Sequence, residues 1–142
     1  MTEFVHRQKV LFQHCDPAGI VFYPRYFEMV NATVETWFDA ALGHAFERMH
    51  GEMDAAVPTA RIEATFSAPS RHGDLLDFAL RLERLGRSSA DIAIAARCGA
   101  QTRLRLTATL VFVRKAAMRS APWPPPLAAA LRRALDGANA EA

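Results

Sequence analysis

The residues best suited to chemistry lie in one short run near the N-terminus of the 142-residue chain. Asp16 supplies a carboxylate, Pro17 and Gly19 are typical turn residues, and Pro24 suits the first turn of a helix. The N–H groups at a helix N-terminus carry a partial positive charge and bind a developing oxyanion. A carboxylate that faces such a terminus is suited to acyl transfer.

This run resembles the 4-hydroxybenzoyl-CoA thioesterase family of hotdog-fold proteins. The resemblance is carried by Asp16-Pro17-Ala18-Gly19-Ile20-Val21, the aromatic pair Phe22-Tyr23, and Pro24 followed by Tyr26. It implies hydrolysis of an acyl-CoA thioester that carries an aromatic, hydroxybenzoyl-type acyl group. A short- or medium-chain acyl-CoA is the alternative substrate, and a non-catalytic module that binds acyl-CoA or acyl-carrier protein is the alternative function.

The catalytic residues that the resemblance implies are Asp16 and Tyr23. Asp16 corresponds to the family's catalytic aspartate, as nucleophile or as general base on water, and both roles stay open. An aspartate before Pro-x-Gly also caps turns, which is its structural alternative. The backbone N–H of Tyr23 polarises the thioester carbonyl in the resemblance, while its ring is free to pack in the core. Gly19 is predicted to let the backbone pass close to substrate or to adopt a positive φ.

Two neighbours of Asp16 also carry reactive groups. In an extended segment His14 and Asp16 lie on the same face, where His14 could orient the carboxylate, bind substrate or simply end a strand. Cys15 points to the other face and is predicted to be a small packed residue.

A second group of candidate residues surrounds a predicted turn at Gly86, which resembles the family's CoA-contacting region. Cations there would bind the phosphates of CoA, and the alternative for each is a solvated surface charge. The predicted substrate-binding residues of this turn are Arg84, Arg87, Ser88 and Ser89.

Composition and the absence of known motifs argue against several other functional classes. The net charge of +2 and pI near 8.8 are too weakly basic for a dedicated nucleic-acid binder. The histidines lack metal-ligand spacing, and the chain has no P-loop or dinucleotide fingerprint, so neither a metal nor a cofactor is expected. With two cysteines, no signal-like N-terminus and no membrane-length apolar run, a cytoplasmic location is expected.

The elements that position these residues follow from periodicity. A strand is predicted at residues 4–13, a long helix from Pro24 to Leu42, and a short helix within residues 44–54. Alternating apolar residues between positions 60 and 112 predict an antiparallel sheet. The predicted fold is therefore α+β, and the resemblance implies a hotdog, in which the antiparallel sheet wraps the long central helix.

The predicted organisation is one hotdog domain, residues 1–120, followed by a C-terminal segment, residues 121–142. That segment is expected to hold a proline-rich stretch that is not helical, a short helix from Leu127 to Leu135 and a flexible tail from Gly137. Because family members place their active sites between subunits, the resemblance implies a homodimer or a tetramer of two dimers.

Overall fold

The computed structural model describes residues 3–141, with side chains as far as residue 137. Two antiparallel sheets and three helices make up the fold. The strands of the larger sheet are β1 (Phe4–Lys9), β3 (Thr59–Phe66), β4 (Leu75–Leu85), β5 (Ser89–Cys98) and β6 (Gln101–Val111), in the spatial order β1-β4-β5-β6-β3. The smaller sheet contains β2 (Ala55–Ala56), β7 (Val113–Arg114) and β8 (Arg119–Ser120).

The long helix α1 (Pro24–Thr36) begins with a proline at its first position and continues through a π turn, Trp37–Ala41. Its buried residues recur every three or four positions, as an amphipathic helix requires: Tyr26, Met29, Val30, Thr33 and Val34. All of these except Thr33 share one hydrophobic core with the inner face of the larger sheet. The predicted α+β fold, with a long central helix on an antiparallel sheet, is confirmed.

β3 is an edge strand of the larger sheet, because it pairs only with β6. Seven of its eight residues are exposed, including the apolar Ile62 and Phe66 at 44% and 45%. An exposed edge of this length offers unpaired backbone groups to another strand. The other edge of the sheet is the shorter β1.

The first strand and the C-terminal helix differ from the predictions. β1 ends at Lys9 rather than at residue 13, since Phe12–His14 forms a 3-10 turn. Helix α3 runs from Pro125 to Glu141, so it is longer than the predicted helix and includes residues that were expected to form a flexible tail. Its two prolines occupy the first turn, where a missing N–H removes no helical bond. Ala142 lies outside the described residues.

The remaining helix, α2 (Phe46–Gly51), falls within the predicted range of residues 44–54. Helix α3 packs on β4 through Leu127 and Leu131, which are fully buried. The division into residues 1–120 and 121–142 stays a prediction. None of the helices in the described part of the chain is long and apolar enough to cross a membrane.

Candidate active site

A tight hairpin places Asp16 beside the start of α1. The Gly19 N–H donates to the Asp16 carbonyl (2.9 Å), and the Asp16 N–H donates to the Ile20 carbonyl (3.0 Å). Gly19 has a φ of +81°, in the left-handed region that glycine adopts without strain, so its predicted conformation is confirmed. Past this turn, Cys15 pairs with Val21 in an antiparallel bridge. The hairpin thus returns the chain from Asp16 to the helix.

The half-buried Asp16 carboxylate is only partly engaged. Its Oδ1 accepts a hydrogen bond from the Ala18 N–H (2.9 Å), which is the turn-capping contact expected from the sequence. Within residues 3–141, no side chain or backbone donor bonds its Oδ2. The cap therefore fixes the carboxylate and leaves one oxygen available for chemistry.

Tyr23 is the N-cap residue of α1, immediately before Pro24. No acceptor among the described residues receives the Tyr23 N–H. The neighbouring N–H groups are both paired, since Phe22 donates to the His14 carbonyl and Arg25 donates to the Phe22 carbonyl. The tyrosine side chain is 59% exposed, so its ring does not pack in the core of this chain. The free donor lies at the positive end of the helix dipole.

His14 is buried, but it does not lie in the extended segment that the sequence predicts. It ends the 3-10 turn, and its Nδ1 accepts a hydrogen bond from the Leu11 N–H (2.8 Å). Burial lowers the pKa of His14, so the ring is neutral near pH 7 and carries its proton on Nε2. Its side chain shapes the turn before Asp16, and its role in substrate binding stays a prediction.

A buried arginine ties the Asp16 hairpin to the sheet. Arg103, on β6, is 9% exposed and its Nη1 donates to the Asp74 carboxylate (2.8 Å), to Ser70 Oγ (3.1 Å) and to the Pro69 carbonyl (3.0 Å). Ser70 Oγ also accepts a hydrogen bond from the Tyr26 hydroxyl (2.9 Å). We refer to Tyr26, Ser70, Asp74 and Arg103 as the Arg103 network.

The Arg103 network reaches both parts of the candidate site. The Ser70 carbonyl accepts the Val21 N–H of the hairpin (2.8 Å), and the Tyr26 hydroxyl anchors the first turn of α1. The hydrogen bond from Arg103 and the backbone N–H of Arg71 hold the pKa of Asp74 below its usual range. Sequence reasoning missed this network, because it assigned Arg103 to the polar face of its strand and Tyr26 to the apolar face of the helix.

An aromatic cluster and an apolar crevice adjoin the helix start. The Phe66 ring contacts the rings of Tyr23, Tyr26 and Phe27 at centroid distances of 6.1, 5.6 and 6.3 Å. Further along α1, a crevice of about 350 Å³ opens between the helix and β3. It is mostly apolar and is lined by Phe27, Val30, Asn31, Val34, Thr59, Ile62, Ile92, Ala108 and Leu110.

The second predicted group lies at the opposite end of the sheet. Arg84 is near the end of β4, and Arg87, Ser88 and Ser89 follow in the β4–β5 turn (residues 86–89). The Asp16 hairpin adjoins the other end of β4, where Lys9 pairs with Leu75. β4 is eleven residues long, which corresponds to about 33 Å, so one chain does not bring the two groups at its ends together.

A family model described as the thioesterase superfamily matches residues 19–105, which is more than half of the chain. The chain belongs to the thioesterase superfamily. It is therefore a thioester hydrolase, as the sequence predicted. The match begins at Gly19, so Asp16 lies just outside the matched residues. No curated protein sequence matches this thioesterase.

Solved structures of similar fold include two enzymes with aromatic substrates. One is a 1,4-dihydroxy-2-naphthoyl-CoA thioesterase from Synechocystis, 21% identical, with a TM-score of 0.84 over 92% of this chain and 96% of that one. Another is BH1999 gentisyl-coenzyme A thioesterase, 20% identical, with a TM-score of 0.82 over 90% and 99%. A hypothetical protein from Staphylococcus aureus, solved in complex with CoA, is 12% identical, with a TM-score of 0.88 over 94% and 84%. At these identities the likeness is one of fold, and the predicted hotdog fold is confirmed.

Proposed function

We propose that this thioesterase hydrolyses an aromatic acyl-CoA to the free acid and CoA, with Asp16 and the Tyr23 N–H as its catalytic groups. One observation carries the proposal. An unused carboxylate oxygen and an unused helix N-terminal N–H occur on the two sides of one short hairpin, as judged over residues 3–141. Thioester hydrolysis needs those two functions, an attacking or activating group and a donor for the oxyanion.

Two routes fit this geometry. In the first, Asp16 Oδ2 attacks the thioester carbonyl, CoA leaves as thiolate, and water hydrolyses the resulting mixed anhydride to regenerate Asp16. In the second, Asp16 takes a proton from water as that water attacks the same carbonyl. Both place negative charge on the carbonyl oxygen, where the Tyr23 N–H and the helix dipole stabilise it. Labelled oxygen in Asp16 after a single turnover in H₂¹⁸O would identify the first route. Water that attacks the Asp16 carboxyl carbon of the anhydride leaves its oxygen there, whereas the second route puts it only into the product acid.

Two observations support an aromatic acyl group, and a third supports CoA as its carrier. Two proteins of the same fold act on dihydroxynaphthoyl-CoA and gentisyl-CoA, and a third was solved with CoA. The aromatic cluster around Phe66 adjoins the helix start and offers ring edges and faces to an aromatic group. The aliphatic lining of the crevice, such as Val30 and Ile62, favours the second candidate, a short- or medium-chain acyl-CoA.

The proposed active site is shared between two chains. A twofold axis that pairs two copies of β3 makes those strands antiparallel, so the Thr59 end of one lies beside the Phe66 end of the other. Thr59 is at the same end of the sheet as the β4–β5 turn, while Phe66 adjoins Tyr23. The pairing therefore brings Arg84 and Arg87 of one chain toward Asp16 of its partner. It yields a homodimer, and two dimers would form the predicted tetramer.

In this arrangement the nucleotide half of CoA lies on the β4–β5 turn. The exposed guanidinium groups of Arg84 and Arg87 bind the phosphates, and Ser88 and Ser89 offer hydroxyls. The thioester reaches across the two β3 strands to Asp16 of the other chain. Gly19 and His14 lie on the catalytic side, where they shape the hairpin next to the acyl group.

The test is thiol release from a panel of aromatic and aliphatic acyl-CoA esters. We expect Asp16→Asn to lower kcat by about a hundredfold or more, the scale of losing an acid-base group, with unchanged unfolding. Asp91→Asn is the matched control, because Asp91 is also half-buried and accepts one hydrogen bond, from Thr109 Oγ1 (2.7 Å). Equal activity of the two variants would refute the assignment of Asp16, and preference for aliphatic esters would select the second candidate.

A further inference from the structure

The C-terminal segment crosses the β4–β5 turn through Trp123. The Trp123 N–H donates to the Arg87 carbonyl (3.0 Å), and its indole Nε1–H donates to the Ser89 carbonyl (3.1 Å). The indole is almost fully buried, with 5% of the residue exposed. One residue therefore bonds both sides of the turn, and neither bond involves a guanidinium group.

Phe112 binds the residue between Arg87 and Ser89. Its N–H donates to the Ser88 carbonyl (2.8 Å), and its own carbonyl accepts the Ala121 N–H (3.0 Å). Its ring packs against the Trp123 indole, with centroids 5.4 Å apart. The carbonyls of residues 87, 88 and 89 are thus all paired, so the backbone of the turn is held at three consecutive positions.

The turn is also closed tightly from within. The Gly86 N–H donates to the Ser89 carbonyl (2.8 Å), and a Cβ at Gly86 would lie 2.5 Å from Ser89 Oγ. On the other side, Leu127 and Leu131 bury the following helix α3 against β4. The segment that holds the turn is therefore itself fixed to the body of the fold.

We propose that Trp123 is a positioning residue for CoA: it holds the β4–β5 turn so that Arg87 and Arg84 present their guanidinium groups to the CoA phosphates. This inference rests on the proposed function. Trp123 lies beyond residues 19–105, the part matched by the family model. The C-terminal segment thus supports the β4–β5 turn from outside the matched region. A prearranged turn binds phosphate without first having to be ordered, which strengthens binding.

The variant Trp123→Phe tests this role, because it keeps an aromatic ring against Phe112 and removes the indole N–H together with the five-membered part of the ring. Steady-state kinetics are measured with 4-hydroxybenzoyl-CoA and with 4-hydroxybenzoyl-pantetheine, which lacks every phosphate of CoA. We expect KM for the CoA ester to rise about three- to tenfold, the scale of one lost hydrogen bond, with kcat and the pantetheine ester unaffected. A merely structural role would change both esters alike, and that result would overturn the proposal.

The other tryptophan of the chain supplies the matched control. Trp37 is also buried, at 3% exposure, and packs edge-on against Phe38 in the π turn, so Trp37→Phe should leave the ratio of the two KM values unchanged. Arg87→Gln should raise the same ratio. In a variant that carries Arg84→Gln with Arg87→Gln, Trp123→Phe should add little, because it acts through those two guanidinium groups. If the wild-type enzyme hydrolyses neither ester, the proposed function fails. If it hydrolyses both and Trp123→Phe leaves the ratio unchanged, the inference about Trp123 fails alone.

Discussion

At one end of the five-stranded sheet the Asp16 hairpin is tied to a buried charge, whereas at the other end the β4–β5 turn is held by hydrogen bonds to its backbone carbonyls. Arg103 donates to three acceptors at the first end, and its partner Ser70 reaches both the hairpin and α1. At the second end, Trp123 and Phe112 pair the turn carbonyls while Arg84 and Arg87 stay exposed.

The difference matches the two tasks that we propose. Catalysis needs a few atoms held rigidly, and a buried charged network supplies that rigidity at the cost of depending on every member. Phosphate binding needs exposed cations on a steady base, and backbone bonds steady the turn without occupying the guanidinium groups. Substitutions at the two ends should therefore alter different measured quantities.

The largest contrast is expected between Arg103→Met and Arg87→Gln. Arg103→Met leaves Asp74 and Ser70 without their charged donor, which should cost about 2 kcal/mol of unfolding free energy and also lower kcat. Arg87→Gln, on the exposed turn, should change the unfolding free energy by less than about 0.5 kcal/mol and raise KM for an acyl-CoA. Urea unfolding and steady-state kinetics measure both. Similar effects of the two variants would contradict the division of tasks.

A smaller effect is expected from the Tyr26 hydroxyl. Tyr26→Phe removes its bond to Ser70 Oγ and should cost about 1 kcal/mol, with a several-fold fall in kcat because the helix start loses an anchor. Thr33→Val is the matched control, since it removes another buried hydroxyl of α1 that bonds only the Met29 carbonyl. The control should lose stability without losing kcat, and equal losses of kcat would show that Tyr26 acts only through helix stability.

The smallest expected effect is a loss of folding stability at acidic pH that comes from Asp74. Its pKa is depressed in the folded chain by Arg103 and by the Arg71 N–H, so its stabilising contribution is complete above the unfolded pKa of about 3.9. That contribution is lost as the pH falls through the folded pKa. In urea unfolding at pH values below about 5, wild type should lose more stability than Asp74→Asn. The pair Arg7–Asp77, which also depresses a carboxyl pKa, is unchanged between the two proteins. Parallel curves would contradict the prediction.

The residues that could be predicted from sequence are those set by local geometry. The turn at Gly19, the proline at the start of α1 and the end of that helix before Gly43 depend on neighbours within a few positions. The hairpin of Asp16 could therefore be predicted from the sequence. The same holds for the turns at Gly86 and Gly99, which end strands of clear alternation.

The parts that could not be predicted depend on distant contacts. Arg103 alternates with Leu104 as an exposed strand residue would. It is buried because three acceptors in the loop of residues 69–74, more than twenty-five positions away in the chain, receive its hydrogen bonds. Likewise, the spacing of Asp16 and Arg87 gives no sign that they lie at opposite ends of β4. The prolines of α3 predicted a break, but they fit its first turn, where a missing N–H removes no helical bond. The length of α3 depends on its docking against β4.

The most direct test of the shared active site is complementation between two impaired variants, assayed at an acyl-CoA concentration well below the wild-type KM. One variant carries Asp16→Asn, and the other carries Arg84→Gln with Arg87→Gln. Each variant therefore lacks the functional groups at one end of the sheet. Mixed dimers, formed by co-expression and purified with two different tags, contain one site with both ends intact. We predict that they recover about half of the wild-type activity toward an acyl-CoA, since one of the two sites of a twofold dimer is complete. Mixed dimers that stay as impaired as their parents would show that each site lies within one chain, and would contradict the account.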